Sequence, residues 1–428
     1  VSSSALTMVG SRGRSDHPSS SREGGRGQAY RWLALVTAIL VGFGLVMVYS
    51  ASSGLAQIQF ESGHFYMKRW AIRTGISTIA LLIFSYIDYR FWGRRARLLL
   101  AIGFAGLAAV LALKLFGVGN VRGAYRWIQF PGGSFQPSAL MQLALVVFLA
   151  DTLSRSQTLV QERLFFQRTM GTVGAALALI VMQPDLGTAL AIGLTCAVVM
   201  YLAGVCLIHL LATGGIGAVL VSIVVFGIGY RKERVLSYLN PGDDVQGAGY
   251  QATQSLLALG SGGISGVGLG QSMQKYFFLP EPHTDFVFSI LGEELGLLGT
   301  GGLVVLFAIF GRLGFRIAVQ APDLFGFLLA SGITCAVLIY AFVNIGVCVG
   351  VLPTTGLPLP FISYGGSSLL LTMTATGILL NIGRQAASDP GRLPRRHQAP
   401  SLPTTGQTIY RGRGSQGSPG TRASQPSG

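Results

Sequence analysis

The sequence predicts an all-α polytopic membrane protein of about ten transmembrane helices, with a large outer loop between spans seven and eight. Three observations carry this. Half of the 428 residues are hydrophobic and only 11% are charged, against about 25% charged in soluble domains. Long uncharged apolar runs recur along the chain, and about 20 helical residues suffice to cross a hydrocarbon core of about 30 Å. The basic residues are also distributed unevenly between the two sides that ten spans would define.

Taken in order, residues 1–29 are rich in Ser, Gly and Arg and poor in apolar side chains, so they are expected to form a disordered cytoplasmic tail. The membrane domain covers 30–384, with spans near 31–51, 69–88, 98–116, 136–152, 168–183, 187–204, 207–229, 286–311, 324–350 and 366–384. The first run exceeds the apolar region of about 7–15 residues in a secretory signal, so it reads as helix one. Residues 230–285 are far longer than an ordinary helix connection, which marks that loop for function. Residues 385–428 are likewise polar, rich in Ser, Gly, Pro and Arg, and are expected to form a second disordered cytoplasmic tail.

Of the 31 Lys and Arg, 21 fall on the side of the tails. The opposite side holds Lys68, Arg69, Arg73, Lys114, Arg122, Arg126, Arg231, Lys232, Arg234 and Lys275. Both termini are therefore expected in the cytoplasm, in a multi-pass protein of the cell membrane. The same placement explains the net charge of +15 without nucleic acid, since no basic stripe interleaved with aromatics exists. The 60 glycines suit close helix packing in lipid. Cys196, Cys206, Cys335 and Cys348 lie in apolar segments without CxxC spacing, and read as small core residues. Zinc-ligand clusters, phosphate loops and nucleophile elbows are missing from the sequence. No internal repeat of the kind that builds transporters is found.

Four acidic positions need an account. Asp185, in Gln183-Pro184-Asp185-Leu186-Gly187-Thr188, suits a helix cap at a tight turn. Asp285, in Glu281-Pro282-His283-Thr284-Asp285-Phe286, has two readings: a cap for the eighth span, or a proton acceptor at the membrane surface. Glu293 and Glu294 follow eight and nine residues later, deep enough that an unpaired charge would cost about 2.5–3.5 kcal/mol. They should face the bundle interior, as interhelical hydrogen-bonding groups or as the wall of a polar path. Arg126 and Trp127 lie between spans three and four, either as an interfacial belt or as contacts to an anionic headgroup and a sugar. The segment 353–368 carries three prolines and no charge, which fits a rigid neutral plug or groove wall.

Five strings together resemble the SEDS family of shape, elongation, division and sporulation proteins. They are Arg126-Trp127 with Phe135-Gln136-Pro137-Ser138, the Gln183–Thr188 string, Gly249-Tyr250-Gln251 with Gln254-Ser255, His283-Thr284-Asp285-Phe286, and Gly356-Leu357-Pro358-Leu359-Pro360-Phe361-Ile362-Ser363-Tyr364-Gly365-Gly366. Gln274-Lys275-Tyr276 leading into Leu279-Pro280-Glu281, and the run from Gly292 to Gly296, are more similar to the division branch (FtsW) than to the elongation branch (RodA). The resemblance implies a peptidoglycan glycosyltransferase that polymerises lipid II, with Asp285 on the family's essential acidic position as general base. Arg126, Trp127, Lys275, Glu281, His283, Thr284 and Ser363 are its candidate substrate-binding residues. It further implies a class B penicillin-binding transpeptidase and other divisome membrane proteins as partners, and a divalent cation, Mg or Mn, sharing charge stabilisation with outer cations. An elongation or sporulation paralogue with the same chemistry, or a flippase for a lipid-linked precursor, are the alternatives. The sequence departs from the family where Ala139 and Gln142 replace its usual Glu and Lys, and where Tyr340 replaces a common Gln.

Overall fold

A computed structural model describes residues 20–60, 65–117, 125–130, 133–156, 162–227, 247–275 and 284–388 of the chain. Among them the helices are α1 (Ser20–Phe60), α2 (Phe65–Tyr86), α3 (Tyr89–Arg94), α4 (Ala96–Leu115), α5 (Pro137–Arg155), α6 (Arg163–Met182), α7 (Leu186–Leu202), α8 (Leu207–Gly227), α9 (Ala248–Gly262), α10 (Val287–Gln320), α11 (Leu324–Cys348) and α12 (Gly366–Ser388). One hairpin, β1 (Ile128–Phe130) with β2 (Gly133–Phe135), pairs antiparallel in the register Ile128 to Phe135. The protein is an all-α polytopic membrane protein, and each of the ten spans expected from the sequence is met by one helix. Seven are long and apolar enough to cross a bilayer, while α7 and the stretch Leu207–Ile223 of α8 are apolar but shorter. Helix α2 carries Lys68, Arg69 and Arg73 in its first turns.

Side chains confirm which solvent the surface meets. Ile208, Leu211, Ile216, Val219, Leu220 and Ile223 of α8 are all exposed, as are Ile72, Ile76, Ile79, Leu82 and Ile83 of α2. Faces this apolar are stable only against lipid. The interior is built where α2 runs along α12 and where α10 packs on α1, α9 and α11. Cys196, Cys335 and Cys348 are buried as expected, but Cys206 is exposed, because it sits in the turn before α8 rather than within a packed helix.

Local chemistry sets the helix ends. Pro137 opens α5 at a position where its missing N–H is no loss. Asp323 caps α11 by accepting from Gly326 N at 2.7 Å, and its second oxygen takes the Tyr89 hydroxyl at 2.8 Å and Arg90 Nε at 3.0 Å. This ties α3 to α11. At Gly296 helix α10 breaks, with φ 64° and ψ −160°. The chain following α9 fills the gap: Val267 N donates to Glu293 O and Gly268 N to Glu294 O, while Leu297 N and Leu298 N donate back to Gly263 O and Ile264 O. Backbones approach so closely there that a β-carbon on Gly266 would stand 2.1 Å from Glu294 O.

The proline-rich segment turns inward instead of crossing the surface. Leu357, Leu359, Phe361 and Ile362 are buried, and Phe361 adopts φ 66° while packing on Phe310 at 5.5 Å between ring centroids. Helix α1 passes so near that a β-carbon on Gly44 would lie 2.6 Å from Phe361 O. The expected tails, 1–19 and 389–428, and the parts 230–246 and 276–283 of the long loop lie outside the described residues.

Candidate active site

Helix α10 takes Phe286 as its N-cap residue, without a capping side chain. Asp285 therefore stands one position before the cap, at a corner. The Asp285 carbonyl accepts from Nδ2 of Asn344 at 2.8 Å, and the Cys348 thiol lies 3.7 Å from the same oxygen. The Asn344 amide also donates to Leu357 O at 2.7 Å. One buried carboxamide thus joins the corner before α10, helix α11 and the proline-rich segment.

A cavity of about 130 Å³ opens where these three meet, lined by Gln251 of α9, Asp285, Phe286, Asn344, Val347 and residues 354–357. Asp285 is half-buried at its edge. Gly356 adopts φ 69°, and a β-carbon there would lie 3.5 Å from Asp285 Oδ2. A side chain at that position would stand in van der Waals contact with the carboxylate. The expectation of a groove wall for 353–368 is met by residues 354–357.

A second cavity lies on the other side of Gly356 and Leu357. It runs between α5, α7, α11 and α12, and its lining includes Ala139, Gln142, Thr188, Tyr340 and Ser368. The three positions that depart from the family pattern all face it. No charged group lines it among the described residues.

Several residues assigned to substrate from the sequence are engaged elsewhere. Lys275 is 1% exposed. Its ammonium contacts Glu294 Oε1 at 3.2 Å and Gly270 O at 2.5 Å. Ser50 of α1 donates to the Glu294 carboxylate at 2.6 Å, while Glu293 accepts from Ser272 Oγ and from Met273 N at 2.8 Å. A carboxylate this deep needs such partners, so Lys275 is a tie for the loop and is not a surface cation. Of the two readings of Glu293 and Glu294, the structure supports hydrogen bonding between elements.

Arg126 is engaged within the fold as well. It pairs with Asp185 Oδ1 at 3.4 Å and donates to Pro184 O. Asp185 caps α7 through Thr188 N at 3.4 Å, as expected, and accepts from Gln136 Nε2 at 3.1 Å. Trp127 is half-buried just before β1. Ser363 is buried, its hydroxyl accepting from Leu359 N at 2.8 Å and its carbonyl from Trp70 Nε1 at 3.4 Å, which closes the turn 359–363. Thr284 is half-buried beside Asp285; Glu281 and His283 lie outside the described residues.

Sequence reasoning passed over Asn344. A lone amide in the apolar run 324–350 is a signal, since an unpaired polar group in lipid is costly and implies an interior partner. Ser50, at the edge of the first span, gave no comparable signal. Among the described residues no three His, Cys, Asp or Glu side chains gather, and Asp285 is the one carboxylate lining its cavity. The described side chains do not form a cage for a divalent cation by themselves.

A family model described as "Cell cycle protein" (FtsW, RodA, SpoVE) matches residues 31–388. The chain is 44% identical over 354 residues to Stage V sporulation protein E of Bacillus subtilis, covering 82% of this chain and 96% of that one. It is 41% identical over 363 residues to the probable peptidoglycan glycosyltransferase FtsW of Geobacter metallireducens, covering 84% and 95%. Among solved structures, a chain of a peptidoglycan synthase complex that coordinates polymerization and crosslinking superposes with a TM-score of 0.68 at 28% identity, over 83% and 97% of the two chains. The rod shape determining protein RodA of Thermus thermophilus gives a TM-score of 0.62 at 26% identity, over 83% and 96%.

Proposed function

The chain belongs to the FtsW, RodA and SpoVE family of cell cycle proteins, and from that premise we propose that it is a peptidoglycan glycosyltransferase polymerising lipid II at the outer face of the cell membrane. The observation that carries the proposal is the Asp285 carboxylate at the edge of a cavity, on a corner held by Asn344. A base must sit within reach of the proton it takes. Here the backbone of that base is fixed, while its side chain borders space for a substrate.

In the reaction, Asp285 accepts the proton of the acceptor sugar's 4-hydroxyl. The hydroxyl oxygen bonds to the anomeric carbon of the growing chain. The bond from that carbon to the pyrophosphate oxygen breaks, and undecaprenyl pyrophosphate departs with the electron pair. Attack on an α-linked donor gives a β-linked glycan by inversion, which needs one base and no covalent enzyme intermediate. Both termini lie in the cytoplasm on this reading, which the 21 tail-side cations support. A class B penicillin-binding transpeptidase is the expected partner, in keeping with the likeness to a chain of a peptidoglycan synthase complex.

The cellular role is proposed to be septal, with sporulation as a second reading that the 44% identity to a sporulation protein favours. Rescue of division in cells depleted of their FtsW separates the two. The chemistry is tested with purified protein, its transpeptidase partner and lipid II. Asp285→Asn should lower glycan synthesis by about 10²–10⁴-fold. Polymer at wild-type speed from the amide variant would refute the base, and lipid II translocation without polymer would favour a flippase.

A further inference from the structure

Helix α2 carries an apolar stripe that ends at a cation. Ile72, Ile76, Ile79 and Ile83 are all more than half exposed, and their spacing of four, three and four residues puts them on one helix face. Tyr86, three residues further on, closes the stripe and is 72% exposed. There the guanidinium of Arg384, near the end of α12, lies 4.7 Å from the centre of the Tyr86 ring and donates to Tyr86 O at 3.5 Å.

The packing of α12 on α2 fixes that meeting. A β-carbon on Gly377 would stand 2.5 Å from Leu81 O, while the Asn381 amide donates to Ser85 O at 2.8 Å and accepts from Tyr89 N at 3.0 Å. Asp88 accepts from Gln385, the neighbour of Arg384, at 3.1 Å and feels the charge of Arg94, so both cations gather around one carboxylate. The carboxylates of this region are already committed. Asp88 takes Arg90 N and Gln385, Asp323 takes Arg90, Tyr89 and Gly326 N, and Asp151 pairs with Arg155 at 2.7 Å. Arg94 makes no hydrogen bond or ion pair among the described residues, and Arg384 spends one of its five N–H donors on Tyr86 O.

We propose that an anionic phospholipid binds at this end of α2, with an acyl chain along the isoleucine stripe and its phosphate held by Arg384 and Arg94. The stripe from Ile76 to Tyr86 is about 15 Å long, which is half of a hydrocarbon core of about 30 Å and so the depth of one leaflet's chain. Its continuity with the cations commits the site to a lipid and not to free phosphate. Tyr86 suits the boundary, since its ring holds Arg384 by cation–π attraction and its hydroxyl reaches headgroup level. Basic clusters at helix ends select headgroups of net negative charge, whereas a choline headgroup would bring a further cation to a site that already has an excess. The inference stands apart from the reaction at Asp285.

The test titrates the full chain in detergent with dioleoyl phosphatidylglycerol or dioleoyl phosphatidylcholine and counts bound lipid by native mass spectrometry. The wild type should hold phosphatidylglycerol more tightly than phosphatidylcholine. Arg384→Gln and Arg94→Gln should each weaken phosphatidylglycerol by about fivefold and leave phosphatidylcholine unmoved, while Arg384→Lys, which keeps the charge, should lose less. Arg94 is exposed and bonded to nothing described, so its variant folds even if the loss of the Arg384 bond loosens α12. Arg316→Gln, at the far end of α10, should change nothing. Equal affinity of the wild type for the two lipids would overturn the proposal, as would full phosphatidylglycerol binding in both glutamine variants. So would an equal loss in Arg316→Gln, which would mean diffuse charge and no site, or displacement of the lipid by inorganic phosphate, which would mean a site for a free anion.

Discussion

Replacing Lys275 by Met tests the buried tie that holds the long loop to α10. The ammonium lies 3.2 Å from Glu294 Oε1, with the two side chains 1% and 0% exposed. At that distance and an effective dielectric of about 20, the direct attraction is about 5 kcal/mol, and the dehydration of both ions offsets much of it. The variant loses the attraction and keeps the dehydration of Glu294, because that side chain remains fixed by Ser50. Removing one partner of such a pair costs about 3–5 kcal/mol, whereas replacing both is often near neutral. Lys275→Met should therefore destabilise by about that amount, and Lys275→Met with Glu294→Gln should recover most of the loss.

The assay is equilibrium unfolding of the detergent-solubilised protein, followed by tryptophan fluorescence. Glycan synthesis should track stability, because the loop that Lys275 anchors continues toward Asp285. The reasoning is refuted if the single and double variants are equally stable. It is refuted as well if the single variant unfolds like the wild type, since Lys275 would then be solvated rather than buried.

Gly266→Ala should cost about 2–4 kcal/mol, from a left-handed backbone and an immovable contact, with φ 79° and Glu294 O only 2.1 Å from the new β-carbon. Gly260→Ala, with nothing within 4 Å, should be neutral or stabilise by up to about 1 kcal/mol; equal losses in the two would sink the argument. A double-mutant cycle on Asp185 and Arg126, paired at 3.4 Å, should show coupling of about 0.5–3 kcal/mol, and additive losses would mean the pair does not form. Asp323→Ala removes the α11 cap and strands Tyr89 and Arg90, so unfolding should ease by about 1–3 kcal/mol; a wild-type midpoint would contradict it. Burial pushes the Asp88 carboxyl up, but donation from Arg90 N and the Gln385 amide, with the charges of Arg90 and Arg94, holds it below the ordinary carboxylate range. Its contribution should be complete above about pH 4 and fade as pH falls through the folded value, so the stability gap to Asp88→Asn should close in acid. A gap that stays constant down to pH 2 would show that Asp88 gains nothing from these partners.

Much of the fold was legible because lipid imposes its selection residue by residue. An apolar run long enough to cross a bilayer is a helix wherever it packs, so all ten expected spans coincide with helices. The cap at Asp185 and the inward placement of Glu293 and Glu294 follow from equally local rules, since a carboxylate needs backbone N–H groups or partners within reach. What the chain could not announce was the identity of those partners. Lys275 and Arg126 read as outward cations until the loop after α9 and the start of α7 brought Glu294 and Asp185 to them. The break at Gly296, the chain that fills it, and the Asn344 amide that spans Asp285 and Leu357 depend on groups distant in sequence. Hydropathy is a property of one residue and its solvent, whereas a buried hydrogen bond belongs to two segments and exists only once packing has chosen which of them meet.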